Sequence, residues 1–127
     1  MKEFLIVSVG SFFGGGCRFL VSKLMGLLVS SPFPLGTFTV NILGCLLIGF
    51  FSSLPSANSA LSISPSTRLL LTTGFCGGFT TFSTFMKESD ALLTSHHPMI
   101  LVAYLAVSLA FGMLAVWAGQ HIASAVG

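Results

Sequence analysis

Four long apolar stretches run almost end to end through this chain, separated only by short turns carrying Pro, Ser and His. A helix that crosses the hydrocarbon core of a bilayer needs about 20 mostly apolar residues. The 127 residues therefore hold four crossings and little else. Composition removes the competing reading of a water-soluble domain. Charged residues make up 6% of the chain, against about 25% in an ordinary soluble domain. Hydrophobic residues make up 54%, and mean hydropathy is +0.99. There is no room for a soluble catalytic domain. The expected architecture is an all-α membrane protein, a single four-span domain over residues 1–127, with spans at about 4–28, 35–54, 66–93 and 99–123.

Local punctuation sets those limits. The first segment opens with Lys2 and Glu3 and carries Gly14, Gly15 and Gly16 just before Arg18. A basic start followed by an apolar run is also the pattern of a secretory leader. Three further apolar segments follow, so we read a retained span whose glycines serve close helix packing. The turn Ser30 to Pro34 ends it, and Pro55 with the Ser-rich stretch Ser56 to Ser66 ends the second. In the third, Gly74, Gly77 and Gly78 fall within five residues. Glycine costs about 1 kcal/mol per residue inside a helix, so the spacing predicts two half-helices with a break near Gly74–Gly78. The turn Ser95-His96-His97-Pro98 separates the third span from the fourth.

Lys2, Arg18, Lys23, Arg68 and Lys87 form no basic run, which leaves no footprint for nucleic acid. Their placement bears on topology instead. With both termini on one side, Lys2 and Arg68 share that side while Arg18, Lys23 and Lys87 lie on the other. Orientation follows the excess of positive charge on short loops, and two against three is nearly balanced. The chain is expected to insert either way round, so that two opposed copies pack as an antiparallel dimer with the inverted-repeat symmetry of larger transporters. Four short helices also enclose too little volume for a wet pore, which again points to an oligomer. Cys17, Cys45 and Cys76 lack C-x-x-C spacing and are read as small apolar residues. His96, His97 and His121 fall at span ends and are read as solvated interfacial groups.

Polar groups at membrane depth are costly and therefore informative. Asn41 offers two donors and one acceptor oxygen that must find partners in hydrocarbon, either as glue between helices or as a donor on a permeation path. After the expected break comes Gly77-Gly78-Phe79-Thr80-Thr81-Phe82-Ser83-Thr84-Phe85. Phe79, Phe82 and Phe85 recur every three residues and would share roughly one helix face. At a helix restart, free amides and the positive dipole end favour an anion, while exposed carbonyls favour a cation. Aromatic ring edges are weakly positive and attract an anion without trapping it. No carboxylate, His or Lys lies at the middle of any span. A proton-coupled exporter needs a titratable group at depth, and an enzyme needs an acid–base pair or an activated nucleophile. Passive conduction of an anion survives this elimination.

TTGFCGGFTTFSTF (Thr72 to Phe85), GTFTVN (Gly36 to Asn41) and GGGCRF (Gly14 to Phe19) resemble the Fluc/CrcB family of fluoride channels, and the likeness extends over all four spans. The resemblance implies a dual-topology antiparallel homodimer in a bacterial inner membrane that exports fluoride passively. It implies that Phe82 and Phe85 are the paired pore phenylalanines, that Asn41 is the pore amide, and that Ser83 and Thr84 line the adjoining polar track. It also implies that the backbone carbonyls of Gly77 and Thr80, from both subunits, hold a structural sodium ion that is not transported. Arg18 matches an arginine that draws anions to the vestibule or sets topology. The fourth span departs from the pattern: Ser108 is present, but Gly112, Ala115 and Val116 stand where hydroxyls are common. Tyr104 and Ser108, one turn apart, either line the pore or fill a helix contact. Phe79 is bulkier than the Leu usual at its position.

A small proton-coupled multidrug exporter shares the size and span number, but it carries a carboxylate in its first span. An accessory membrane subunit would explain the packing glycines, though not Asn41 among clustered hydroxyls.

Overall fold

The computed structural model describes residues 1–55 and 61–127, whose regular elements are all helices, with no strand among them. Three helices are long and apolar enough to cross a membrane: α1 (Lys2–Leu28), α2 (Leu35–Ser53) and α6 (Pro98–Val126). Their ends follow the turn chemistry. α1 stops at Leu28, as the pattern predicts, where Val29 turns extended. α2 starts at Leu35 as expected and ends at Ser53, one residue before Leu54. Pro98 opens α6 at a first-turn position where its missing N–H costs nothing, and α6 runs on past Ala123 to Val126. The expected Ser-rich stretch lies in part outside the described residues, at 56–60.

The third apolar segment is assembled from pieces. α3 (Pro65–Leu69) is capped by Ser64, whose Oγ accepts from the Thr67 N–H at 3.1 Å. A π-helical stretch, Leu70–Cys76, continues it into the short α4 (Gly77–Phe79). After Thr80 and Thr81, α5 (Phe82–Thr94) resumes. The break expected near Gly74–Gly78 is therefore displaced: the backbone stays helical through all three glycines and opens at Thr80 (φ −91°, ψ 161°) and Thr81 (φ −151°, ψ 121°). Magnitudes explain the displacement. Helical glycine costs about 1 kcal/mol, whereas each unsatisfied backbone group in hydrocarbon costs several. The chain breaks only where other groups can take over its hydrogen bonds. The Phe79-Phe82-Phe85 stripe is also divided, because Phe79 lies on the near side of the break, buried and stacked on Phe75 at 5.6 Å.

The glycines serve contact instead. A Cβ on Gly10 would stand 2.8 Å from Gly74 Cα, and one on Gly78 would stand 2.6 Å from the Ser11 carbonyl oxygen. A Cβ on Gly14 would collide with the Phe75 carbonyl. α1 thus meets the π-helical stretch and α4 backbone to backbone, as small residues permit in membranes. α2 and α6 pair the same way, with Gly49 against Val116 and Gly119 against Leu46. Gly14→Ala is expected to lower thermal stability by about 1–3 kcal/mol, whereas Gly15→Ala, whose Cβ meets nothing within 4 Å, should leave it unchanged. Melting of the two purified variants checks this, and equal stabilities would remove the contact argument.

Large apolar side chains point outward along α1 and α6, among them Phe12, Leu20, Leu109, Met113 and Trp117. Lipid is the solvent that such a surface fits. The chain is a multi-pass membrane protein. A buried apolar cluster sits where α5 meets α6: Phe85, Leu92 and Tyr104 are buried together, flanked by Phe33, Phe38 and Leu105. The turn between these helices is the expected His-bearing one, closed by left-handed His96 (φ 63°) and a 2.9 Å bond from the His97 N–H to the Leu92 carbonyl.

Candidate functional site

The break at Thr80–Thr81 is held from two helices. From α2, Asn41 Oδ1 accepts from the Thr81 N–H at 2.8 Å, and Asn41 Nδ2 donates to the Thr81 carbonyl at 3.0 Å. From α1, Arg18 Nε donates to the Gly78 carbonyl at 3.0 Å. The Cys76 carbonyl accepts both the N–H and the hydroxyl of Thr80, at 3.0 and 2.9 Å. Gly44, one turn beyond Asn41, makes room for the break, since a Cβ there would strike the Thr80 methyl. Thr81 then serves as the N-cap of α5, its Oγ1 accepting from the Thr84 N–H at 3.3 Å. The Phe82 and Ser83 amides that follow have no hydrogen-bond partner among the described residues. These two free donors and the helix dipole make the start of α5 locally electropositive.

Phe82 and Phe85 sit on the first turn of α5 with ring centroids 6.1 Å apart and planes at 65°, an edge-type arrangement. Their environments differ. Phe82 is 72% exposed, whereas Phe85 is 6% exposed and packs edge-on against Tyr104 at 4.9 Å. Tyr104 is fully buried, wedged also against Phe33 at 5.2 Å, and donates its hydroxyl to Glu88 Oε1 at 3.3 Å. Tyr104 is thus a core residue that backs Phe85. Glu88 is a half-buried carboxylate that sequence position alone sets aside as lying near a span end; only the side-by-side packing of α5 and α6 reveals its partner.

These residues border an open groove of about 500 Å³ whose walls are mainly apolar. Asn41, Gly77, Thr80, Phe82, Phe85 and Ser108 line it, so six of the ten residues singled out by sequence meet in one place. Ser108 Oγ is buried there with no hydrogen-bond partner among the described residues. An unpaired buried hydroxyl costs about 1–3 kcal/mol, a cost relieved by an acceptor in the groove. Ser83, Thr84, Tyr104 and Arg18 are not among the residues that line it. Thr72, Thr73 and Thr81 also line the groove without having been singled out. Their signal was available in the doublets Thr72-Thr73 and Thr80-Thr81. The π-helical winding that turns Thr72 and Thr73 toward the groove was not.

Gly77 and Thr80 can also be weighed as cation ligands. In a continuous helix the Gly77 carbonyl would accept from the Thr81 N–H, and the Thr80 carbonyl from the Thr84 N–H. Both donors are diverted, the first to Asn41 and the second to Thr81 Oγ1. Two carbonyl oxygens are left without an amide partner among the described residues, the kind of ligand that suits a hard monovalent cation. No cluster of three or more His, Cys, Asp or Glu residues occurs among the described residues, so side chains offer no competing metal centre.

Sequence comparison places this geometry among known proteins. Residues 5–120 match the family described as CrcB-like protein, Camphor Resistance (CrcB). The chain is 45% identical over 123 residues to the "Fluoride-specific ion channel FluC" of Chlorobium phaeobacteroides, covering 97% of this chain and 93% of that protein. A protein of the same name from Chlorobaculum tepidum is 46% identical over 123 residues, covering 97% and 95%. One from Bacteroides fragilis is 42% identical over 125 residues, covering 96% of each. With a family match across nearly all its length and identities of this order, the chain belongs to the CrcB family.

Proposed function

We propose that this protein is a fluoride channel: a passive conduit and not an enzyme, acting as an antiparallel dual-topology homodimer of four-span protomers in a bacterial inner membrane. The observation that carries the reading is the groove in which Asn41, Phe82, Phe85 and Ser108 converge beside the free amides of α5. Relatives at 42–46% identity bear the name fluoride-specific ion channel. The fourth crossing is made by α3 through α5 taken together. Its interruption in mid-membrane is tolerated because it borders a cavity and is bonded by Asn41 and Arg18.

Mechanistically, the residues supply weak and distributed ligands. Fluoride is small and strongly hydrated, so passage requires donors in place of water, none strong enough to hold it. The Ser108 hydroxyl, the α5 amides and the positive edges of Phe82 and Phe85 meet that requirement, with no fixed cation lining the groove. Ser83 and Thr84 extend the polar track at the groove margin. Phe82, left largely exposed by its own protomer, is the face a second copy would cover. Passive flow runs down the fluoride gradient and lowers cytoplasmic fluoride whenever it is higher inside.

The Gly77 and Thr80 carbonyls would hold sodium where two protomers meet, two from each. Bound there, the ion would offset the negative ends of carbonyl dipoles that lack an amide partner. This part of the reading rests on the two diverted amides.

The test is ion efflux from liposomes containing the purified protein. Rapid fluoride efflux with chloride retained is expected. Proton-driven movement of a lipophilic cation without fluoride flux would replace the channel reading with an exporter. No flux from a well-folded dimer would leave an accessory subunit.

A further inference from the structure

The two bonds of Asn41 do more than present an amide to a pore. In a continuous helix the Thr81 N–H would return to Gly77 and the Thr81 carbonyl would accept from the chain ahead. Here the Asn41 side chain bonds both groups, at 2.8 and 3.0 Å. Its oxygen stands in for the Gly77 carbonyl, and its nitrogen adds a bond to the carbonyl of the α5 N-cap. Of the two N–H donors of the side chain, one is thereby committed to the backbone.

The consequences lie on both sides of the break. Upstream, the Gly77 carbonyl is left without the Thr81 N–H that a continuous helix would give it. Downstream, Thr81 is held extended, which lets its hydroxyl cap α5 and fixes the angle at which the Phe82 and Phe85 rings leave the helix. Glycine content does not explain the location of the break, since the helix passes through Gly74, Gly77 and Gly78 intact. The break falls where α2 delivers an amide, with Gly44 clearing space for Thr80 beside it.

We infer that Asn41 is a positioning residue: its carboxamide oxygen substitutes for the missing helix acceptor of the Thr81 N–H while its nitrogen ties down the Thr81 carbonyl, and together they hold the break open and set the first turn of α5. This deepens the channel reading and rests on it for function, while the backbone arrangement can be read without any ion flux.

The experiment is solid-state NMR of the full-length protein in lipid, run beside fluoride efflux. In the native chain Thr80 and Thr81 should show the carbon shifts of extended residues, and the Thr81 amide should exchange about tenfold or more slowly than the unbonded Phe82 amide. Asn41→Ala and the smaller change Asn41→Ser should abolish the extended signature at Thr81, by closure into helix or by averaging, and flux should fall with it. Phe82→Ile serves as the control that lowers flux with the Thr81 signature intact. A Thr81 amide exchanging as fast as Phe82 in the native chain overturns the inference, and so does an unchanged extended signature in the Asn41 variants. A native protein that conducts no fluoride would sink the channel reading by itself, with the NMR outcome still deciding the role of Asn41.

Discussion

Phe82→Ile is expected to lower fluoride flux through reconstituted protein by about tenfold or more, with assembly and melting temperature close to native. A tenfold loss corresponds to about 1.4 kcal/mol of lost ring-edge stabilisation. The protomer's own packing is spared because Phe82 is 72% exposed within it and fills none of the core, and Ile keeps the face that a second copy would cover apolar. Phe85→Ile should lower flux as well, but it carries a second cost. Phe85 is packed against Tyr104 and Leu92, so trimming it should also cost about 1–2 kcal/mol of stability. Efflux and melting measured on both variants separate the two effects. Unchanged flux in both would remove the aromatic rings from the conduction path.

Asn41→Asp should reduce flux by about a hundredfold or more. A carboxylate placed about 4 Å from a passing anion raises its energy by about 4 kcal/mol at an effective dielectric of 20, enough for such a loss. The variant keeps an oxygen for the Thr81 N–H, so the backbone break is expected to persist while conduction stops. Normal efflux from this variant would place the Asn41 side chain away from the ion path. Its contrast with Asn41→Ala then distinguishes charge on the path from collapse of the break.

Much of the fold was legible because lipid demands a simple code. Span limits follow from apolar run length and from Pro, Ser and His turns, and α1, α2 and α6 end within a few residues of their expected limits. The candidate site was legible through residues that are costly at depth, above all Asn41 and the hydroxyl-rich run from Thr80 to Phe85. Reading stopped where a residue's role depends on a partner far along the chain. The glycine cluster carries two messages, poor helix propensity and close helix approach. Only the position of α1, which meets Gly74 and Gly78 at backbone contact, selects the second. Tyr104 is similar: nothing in its neighbours says that it is fully buried, backs Phe85 and donates to Glu88.

The sequence by itself determined the solvent, the all-helical class, the turns and the residue types of the site, because these follow from composition and from apolar run length. The tertiary structure alone decided where the third segment opens, which of the two groove phenylalanines is exposed and which is buried, and which carbonyls are released. Those outcomes turn on hydrogen bonds between residues 40 and 60 positions apart, Asn41 with Thr81 and Arg18 with Gly78. In hydrocarbon a helix opens only where such bonds replace the ones it gives up, and no local propensity encodes their location.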